Sequence, residues 1–116
     1  MKTLKNHLIG IDNGDVVMFS DFESGGKMWT GDGARKVTKA IKFSQSYKDV
    51  PMVNCWLSMW DVSNDTFGRM DVQAENITPE GFKIVFRTWG DTKVARVRVA
   101  WQSMGEMPHD DDWQLY

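Results

Sequence analysis

The sequence has few of the residues that cross-link a small domain or bind a metal ion. Its 116 residues include one cysteine, three prolines and two histidines. The single cysteine, Cys55, excludes a disulfide within the chain, and the apolar run around it favours a buried small side chain over a reactive thiol. His7 and His109 are not at metal-ligand spacing with another histidine or cysteine. No metal site and no cofactor are therefore predicted.

A charge excess of one sign and long apolar runs are also absent. Lysine and arginine total 14 against 16 acidic residues, and a formal net charge of −2 gives no electrostatic footprint for nucleic acid. No segment approaches the ~20 apolar residues that span a membrane. The early apolar stretch at residues 8–11 is too short for the core of a secretory signal. We therefore expect synthesis in the cytoplasm, without a signal peptide or membrane insertion.

The length and the apolar content predict one domain with a modest core. Hydrophobic residues make up 41% of the chain and include six tryptophans. Residues 1–105 are predicted to form this domain and residues 106–116 an acidic C-terminal tail. The tail is either a loose terminus or an arm that docks Trp113 and Leu115 onto a neighbour. Its aspartates at 110–112 are interpreted as solvated charges and not as a metal site.

Turn-forming residues dominate the first third of the chain, and alternation dominates the rest. Glycine stands beside Asp, Asn or Ser at residues 11–15, 23–27 and 30–34, which predicts loops there. From Val37 onward apolar residues recur at every second position, which is the period of a strand. A hairpin turn is predicted at residues 76–81, and almost no helix is expected.

These patterns predict an all-β fold, a six- to seven-stranded antiparallel β-sandwich. One face of each strand is expected to form the core. The predicted core residues are Val53, Leu57, Met70, Val72, Phe82, Ile84, Phe86, Val97, Val99 and Trp101.

The strand at residues 52–60 is apolar on both faces. Val53 and Leu57 are predicted to point to one face, and Trp56 and Trp60 to the other. A strand of a monomeric sandwich normally exposes one face to water, so the second face is expected to bury against another protomer. The outward Arg96 and Arg98 on the last strand are expected to face a neighbour as well.

Three side chains suit a polar, ring-shaped ligand. Trp89, at a turn between two strands, can stack on the C–H face of a pyranose. Arg69 offers forked donors to adjacent hydroxyls, and Asp32, in a glycine-flanked loop, offers two acceptor oxygens. Each also has a structural interpretation: Trp89 as a core ring at a hairpin end, Arg69 as a solvated strand charge, Asp32 as a turn former.

Signals of catalysis are absent from the sequence. There is no GxSxG motif and no Cys/His signature of a nucleophile. A facing pair of carboxylates, as in glycoside hydrolysis, arises by chance among 16 acidic residues. The sequence therefore predicts a binding protein and not an enzyme.

Several spaced motifs recur between residues 32 and 103. They include KFSQSY at 42–47, PMV at 51–53, NITPEGF at 76–82, TWGDTKV at 88–94 and VRVAW at 97–101. In order and separation they resemble the H-type lectin domain found in snail agglutinins and in the discoidins. The resemblance implies a six-stranded sandwich, assembled as a trimer or a hexamer, that binds galactose or N-acetylgalactosamine near protomer boundaries.

The resemblance also implies site residues. The sugar-contacting Asp, Arg and Trp of the family fall on Asp32, Arg69 and Trp89. Where the snail lectins carry a sugar-contacting histidine this chain has Gly90, which removes one contact and opens the pocket. An aromatic residue that relatives contribute at about Ala95 is also missing. The predicted carbohydrate site is thus Asp32, Arg69, Trp89 and Gly90, with an altered sugar preference.

Two functions follow from these features. The first is a metal-independent lectin that recognises galactose- or N-acetylgalactosamine-type glycans through the multivalent sites of a homotrimer or hexamer. The alternative is a trimeric structural or cell-adhesion module, like the tip of a phage fibre, with an altered or vestigial sugar site. The retained Asp32, Arg69 and Trp89 favour the lectin, and the missing secretory signal favours the alternative.

Overall fold

Six strands form two antiparallel sheets of three strands each in a computed structural model, which describes residues 1–5 and 7–109. The strands are β1 (Ile9–Ser20), β2 (Arg35–Lys42), β3 (Met52–Val62), β4 (Met70–Glu75), β5 (Gly81–Thr88) and β6 (Val94–Glu106). Two single-turn helices, α1 (Asp21–Ser24) and α2 (Lys27–Thr30), lie between β1 and β2. The strand orders are β1-β6-β3 and β2-β5-β4. The predicted antiparallel β-sandwich is confirmed.

The core lies between the two sheets. Ring centroids of Phe82 and Trp101 are 5.3 Å apart, and those of Phe19 and Phe86 are 5.4 Å apart, so aromatic rings of one sheet contact rings of the other. Six predicted core residues are buried: Phe82, Ile84, Phe86, Val97, Val99 and Trp101. The other four, on the edge strands β3 and β4, are only partly buried against the same core: Val53, Leu57, Met70 and Val72.

The first strand differs from the prediction. Residues 11–15, predicted as a loop, lie within β1 and pair with β6. The Asp12 carboxylate accepts hydrogen bonds from the backbone N–H of Ser44 at 2.8 Å and from its hydroxyl at 3.2 Å. Gly14 lies opposite Trp101, and an added Cβ would be 2.6 Å from the indole Nε1. The glycine therefore makes room for a ring and does not form a turn, and the loop prediction is wrong here.

A bulge interrupts the alternation of β3. The register shifts after Leu57, where one extra residue is inserted. Trp56 lies opposite Ala100 on the outer face, but beyond the bulge Trp60 lies opposite the buried Val97. The prediction that both tryptophans share one face is therefore wrong. Their side chains are nevertheless 48% and 57% exposed.

The remaining elements follow the predictions closely. The hairpin turn at residues 76–81 joins β4 to β5, and helix is limited to α1 and α2 among the described residues. In that part of the chain no helix has the length and apolar content to cross a membrane. β6 continues to Glu106. Residues 110–116, with Trp113 and Leu115, lie outside the described residues, so the division into domain and tail stays a prediction.

The single cysteine packs against the core, as the sequence predicts. Cys55 is partly buried. Burial raises the pKa of its thiol, and the negative charge of Asp71 raises it further. A raised pKa keeps the thiol protonated at neutral pH, which makes it a poor nucleophile.

Candidate functional site

Three connections between strands meet at one end of the sandwich, and we call this region the loop end. They comprise residues 31–34, 63–69 and 89–93. The backbone N–H of Gly33 donates to the carbonyl of Gly90 at 2.8 Å, and that of Ser63 donates to the carbonyl of Lys93 at 2.9 Å. The loop end contains all four predicted site residues: Asp32, Arg69, Trp89 and Gly90.

A buried arginine holds the loop end together. Arg35, the first residue of β2, is 8% exposed. It donates to six backbone carbonyl oxygens at 2.9 to 3.4 Å, those of Lys27, Met28, Gly31, Gly33, Gly90 and Thr92. No carboxylate of the described residues lies within ion-pair distance of it, so the carbonyl dipoles compensate most of the buried charge, with a weaker attraction to the Asp32 carboxylate. The arginine thereby joins α2 to two of the three connections.

Two buried threonines fix the backbone around Arg69. The Thr92 hydroxyl donates to the carbonyl of Phe67 and accepts from the backbone N–H of Arg69 at 3.1 Å. The Thr88 hydroxyl donates to the carbonyl of Arg69 at 2.6 Å. Both threonines are fully or almost fully buried. The position from which the Arg69 side chain starts is therefore set by the core.

The Arg69 side chain is half exposed and already paired. Its Nη1 lies 3.0 Å from Oδ1 of Asp91, and its guanidinium carbon lies 5.1 Å from the centroid of the Phe67 ring. The ion pair and the cation–π contact hold the guanidinium in one orientation. Its Nε and Nη2 groups have no partner among the described residues, so they remain available as donors.

Gly90 combines a conformational requirement with open space. Its φ of 70° lies in the left-handed region that favours glycine. A Cβ added there would lie 3.4 Å from Nη1 of Arg69. A side chain at Gly90 would therefore strain the turn, although a Cβ would make only ordinary contact with the guanidinium, so the turn geometry itself accounts for a glycine at this position.

The Asp32 carboxylate pairs with a lysine of the β5–β6 turn. Oδ1 of Asp32 lies 2.6 Å from Nζ of Lys93, which also donates to the carbonyl of Gly31. The hydrogen bond from Lys93 lowers the pKa of Asp32, and the positive charge of Lys93 lowers it further. Asp32 therefore carries its negative charge at any neutral or mildly acidic pH, and its second oxygen remains free to accept a hydrogen bond.

The lowered pKa of Asp32 gives the first testable prediction. An NMR titration of the side-chain carboxyl carbon should show protonation below the ordinary value of 3.8. The Asp32–Lys93 attraction is then complete at neutral pH and is lost only as the pH falls through the lowered pKa. Replacing Lys93 with methionine should raise the pKa of Asp32 towards 3.8. Lys83→Met, an exposed lysine at the opposite end, is the control, and equal pKa values in both variants would contradict the assignment.

Trp89 lies in the loop end but points to a separate surface. Its side chain is 44% exposed. It lines a cavity of about 340 Å³ on the outer face of the β2-β5-β4 sheet together with Ala34, Lys36 and Arg87, among others. The residues that line this cavity include neither Asp32 nor Arg69. Asp32, Arg69 and Gly90 therefore lie on connected loops, because Gly33 bonds to Gly90 and Arg69 contacts Gly90. The ring of Trp89 lies instead on the outer face of the β2-β5-β4 sheet.

Three residues of the site are not among those predicted from the sequence. Asp91 and Lys93 belong to the turn that carries Trp89, and their position in that turn was the available signal. Arg35 shares its strand parity with the inward-facing Val37, which places it in the core of β2. Because buried arginines are uncommon, alternation alone is weak evidence for such a role.

The histidines are closer together than their spacing in the sequence suggests. The ring centroids of His7 and His109 are 4.3 Å apart. The described residues nevertheless contain no group of three His, Cys, Asp or Glu side chains placed to hold a metal ion.

Most of the strands and loops that form this site match a known protein family. The family model of the H-type lectin domain matches residues 38–104. The chain belongs to the H-type lectin domain family. Arg69, Trp89 and Gly90 of this lectin domain lie inside the match, whereas Asp32 and both helices precede it.

The chain is also similar to three individual proteins, two of which are discoidins. A Fuscovulum blasticum protein named "ATP synthase subunits region ORF 7" is 48% identical over 107 residues, 92% of this lectin domain and 93% of that protein. A discoidin-1 chain of Dictyostelium discoideum is 38% identical over 72 residues, 60% of this chain and 28% of the discoidin. Recombinant discoidin II of the same organism has the same fold, with a TM-score of 0.74 at 22% identity over 90% of this chain and 40% of discoidin II. The lectin domain thus spans less than half the length of the discoidins.

Proposed function

We propose that this H-type lectin domain binds carbohydrate at the loop end and catalyses no reaction. The observation that carries the proposal is the pair of ion pairs, Asp32 with Lys93 and Arg69 with Asp91, on a framework fixed by Arg35. Each pair leaves polar atoms free, namely the second oxygen of Asp32 and two nitrogens of Arg69, Nε and Nη2. A sugar hydroxyl both donates and accepts, so adjacent hydroxyls match an exposed carboxylate oxygen and an exposed guanidinium.

The proposed ligands are galactose- and N-acetylgalactosamine-type glycans. Membership of the lectin family supports this class, and the half-exposed ring of Trp89, on the adjoining sheet face, can stack on the C–H face of a further pyranose of the same glycan. Gly90 offers no side chain to the sugar and leaves space beside Arg69. We therefore expect a tolerant site that binds galactose and N-acetylgalactosamine with similar affinity.

Calorimetric titration of galactose and N-acetylgalactosamine tests the site. Asp32→Ala and Arg69→Ala should abolish binding, because each removes a charged group that orients a hydroxyl. Trp89→Ala should leave the affinity for either monosaccharide almost unchanged, because its ring lies on a separate surface and can stack only on a further residue of a longer glycan. Asp49→Ala, an exposed aspartate at the opposite end, is the matched control. Equal sugar affinity in wild type, Asp32→Ala and Arg69→Ala, all correctly folded, would place the site elsewhere.

We also propose that the domain assembles into trimers or hexamers through the outer face of the β1-β6-β3 sheet. Ile11, Met104 and Met52 form one row across this face, and Ile11 and Met52 are 63% and 41% exposed. Trp56 adds a half-exposed ring. A second row of cross-strand partners lies between Trp56 and the row of Ile11, Met104 and Met52. It carries three amide side chains, those of Asn13, Gln102 and Asn54. Amides donate and accept equally well, so this face can hydrogen-bond to copies of itself arranged around a threefold axis.

Light scattering tests the assembly. At micromolar concentration the mass should be that of three or six chains. Trp56→Glu should lower it to that of one chain, since a charge buried in the interface has no partner. Val50→Glu, which alters an equally exposed apolar residue in the β2–β3 connection, should leave the mass unchanged. A monomeric wild type would refute the proposal.

The alternative function is an assembly module with a vestigial site. It is favoured by one observation: Asp32 and Arg69 are already satisfied by Lys93 and Asp91, so the loop end is electrostatically complete without a ligand. A glycan array distinguishes the two functions. Hits lost in Asp32→Ala support the lectin, and an array without hits from a correctly assembled oligomer supports the assembly module.

A further inference from the structure

The segment between β1 and β2 forms a two-helix insertion with a pair of aromatic rings. The ring centroids of Phe22, in α1, and Trp29, in α2, are 5.1 Å apart at an interplanar angle of 78°. Phe22 is 59% exposed, so the pair is not part of the core. Both residues precede the stretch that matches the lectin family.

Hydrogen bonds make this insertion rigid. The Asp21 carboxylate accepts from the backbone N–H of Met28 at 2.9 Å, and the Asp21 carbonyl accepts from Gly26 at 3.0 Å. The Met28 side chain is fully buried in the core. Nη1 of the buried Arg35 donates to the backbone carbonyls of Lys27 and Met28. The two rings are therefore held in place before any ligand arrives, which lowers the entropy cost of binding to them.

A cavity of about 410 Å³, which we call the insertion cavity, lies between the two rings and β6. Its other lining residues include Asp61 of β3, Arg96 of β6 and the small side chain of Ala95. This volume falls within the range of small-molecule sites, ~300 to 1,000 Å³. The insertion cavity shares no lining residue with the surface of Trp89.

Polar atoms of the insertion cavity remain uncommitted. Nε of Arg96 donates to Oδ2 of Asp61 at 3.2 Å, which orients both groups. The two Nη groups of Arg96 and Oδ1 of Asp61 have no partner among the described residues. The exposed Glu23 adds a second carboxylate at the rim. The cavity thus combines an aromatic wall with half-exposed donors and acceptors.

These groups favour one class of ligand. Two carboxylates disfavour an anion, and Arg96 disfavours a cation at the same point. A purely apolar ligand would bury the free polar atoms of Asp61 and Arg96 without replacing their water. A neutral ring with a C–H face and adjacent hydroxyls matches both the aromatic and the polar residues of the cavity. Its face can stack on an aromatic ring, and its hydroxyls can donate to Asp61 and accept from Arg96.

We propose that the insertion cavity is a second carbohydrate-binding site, which holds a pyranose ring against Phe22 and Trp29 and hydrogen-bonds its hydroxyls to Asp61 and Arg96. The site is separate from the loop end and does not require that the loop end binds sugar. One protomer would then carry two sites for sugars on one glycan or on neighbouring glycans, which increases avidity without further protomers.

Indole N–H signals in NMR spectra test the two sites separately. Galactose, N-acetylgalactosamine, glucose and mannose are titrated into the full chain, each well beyond the ~1 mM dissociation constant of a weak site. At least one sugar should shift the Trp29 signal with saturation. Phe22→Ala should weaken this response about tenfold and leave the Trp89 response unchanged. Trp89→Ala, the reciprocal control, should leave the Trp29 response unchanged.

The outcomes separate this proposal from that for the loop end. Saturable Trp29 shifts that Phe22→Ala and Arg96→Gln both weaken support the second site, whether or not Trp89 responds. A Trp29 signal that none of the four sugars moves overturns it, even if Trp89 responds. A Trp29 signal that changes on dilution of the protein but not with sugar also overturns it, because a neighbouring protomer then fills the insertion cavity.

Discussion

Replacing Phe86 with alanine should lower the free energy of unfolding by about 3 to 5 kcal/mol, which is comparable to the whole stability of a small domain. Phe86 is fully buried on the central strand β5, opposite Val37 of β2 and Val72 of β4, and its ring meets Phe19 of the other sheet. Its removal leaves a cavity that two flanking strands and a facing sheet cannot close. Urea denaturation monitored by tryptophan fluorescence measures the change.

Phe67→Ala is the matched control for this prediction. Phe67 is 70% exposed in the β3–β4 connection. The same chemical truncation there should cost less than about 1 kcal/mol, because it removes only an exposed ring and a cation–π contact with Arg69. Equal losses of stability in the two variants would show that the inward face of β5 is misassigned.

Replacing Arg35 with alanine should destabilise the domain by about 3 kcal/mol or more, because buried carbonyls left without a donor cost ~1 to 3 kcal/mol each. Water can enter from the surface to satisfy some of the six, which keeps the loss below their sum. Arg35→Lys should be almost as harmful. A lysine ammonium has three donors at one point and cannot span the carbonyls of α2 and of the β5–β6 turn together.

The control for Arg35 is its neighbour on the strand. Lys36 is exposed, and Lys36→Ala should leave the melting temperature within about 2 °C of wild type. Sugar binding gives a second readout, since any folded fraction of Arg35→Lys should have lost the Gly33 to Gly90 link and with it the alignment of Asp32. An Arg35→Ala variant as stable as wild type would mean that the hydrogen bonds of Arg35 do not stabilise the loop end.

Much of the fold could be predicted from the sequence because strands that face a core on one side alternate visibly. β4 and β5, joined by a turn marked with proline and glycine, are examples. β1 was missed because the glycine at position 14 and the aspartate at position 12 serve contacts with Trp101 and Ser44. Both partners are distant in the sequence, so local composition carries no trace of these contacts.

The bulge in β3 shows a second limit of pattern reading. Alternation predicts faces only while the register is uninterrupted, and one extra residue after Leu57 exchanges the faces of the residues up to Asp61, where the register shifts again. Nothing in the local sequence distinguishes that position from a regular strand. Trp60 was therefore assigned to the wrong face, and its burial against another protomer stays a prediction.

The candidate site could be predicted in part. Asp32, Arg69 and Trp89 were selected by side-chain chemistry and by the family resemblance, and the structure places all three in the loop end. Their partners Lys93 and Asp91 could not be identified in the same way, because a pairing between distant loops depends on strand order. Trp89 was also predicted to lie directly beside the two charges, and the structure places its ring on a separate surface.

The strand order has a consequence for how the protein moves. β5 and β6 are the central strands of the two sheets, and the turn at residues 89–93 joins them directly. Amide hydrogens of a central strand exchange with solvent only when flanking strands detach, so this turn is anchored at both ends to the slowest-exchanging part of the molecule. A ligand bound there would have to leave before the sheets could open. Occupancy of this turn should therefore slow hydrogen exchange throughout both sheets and not only in the loops around it.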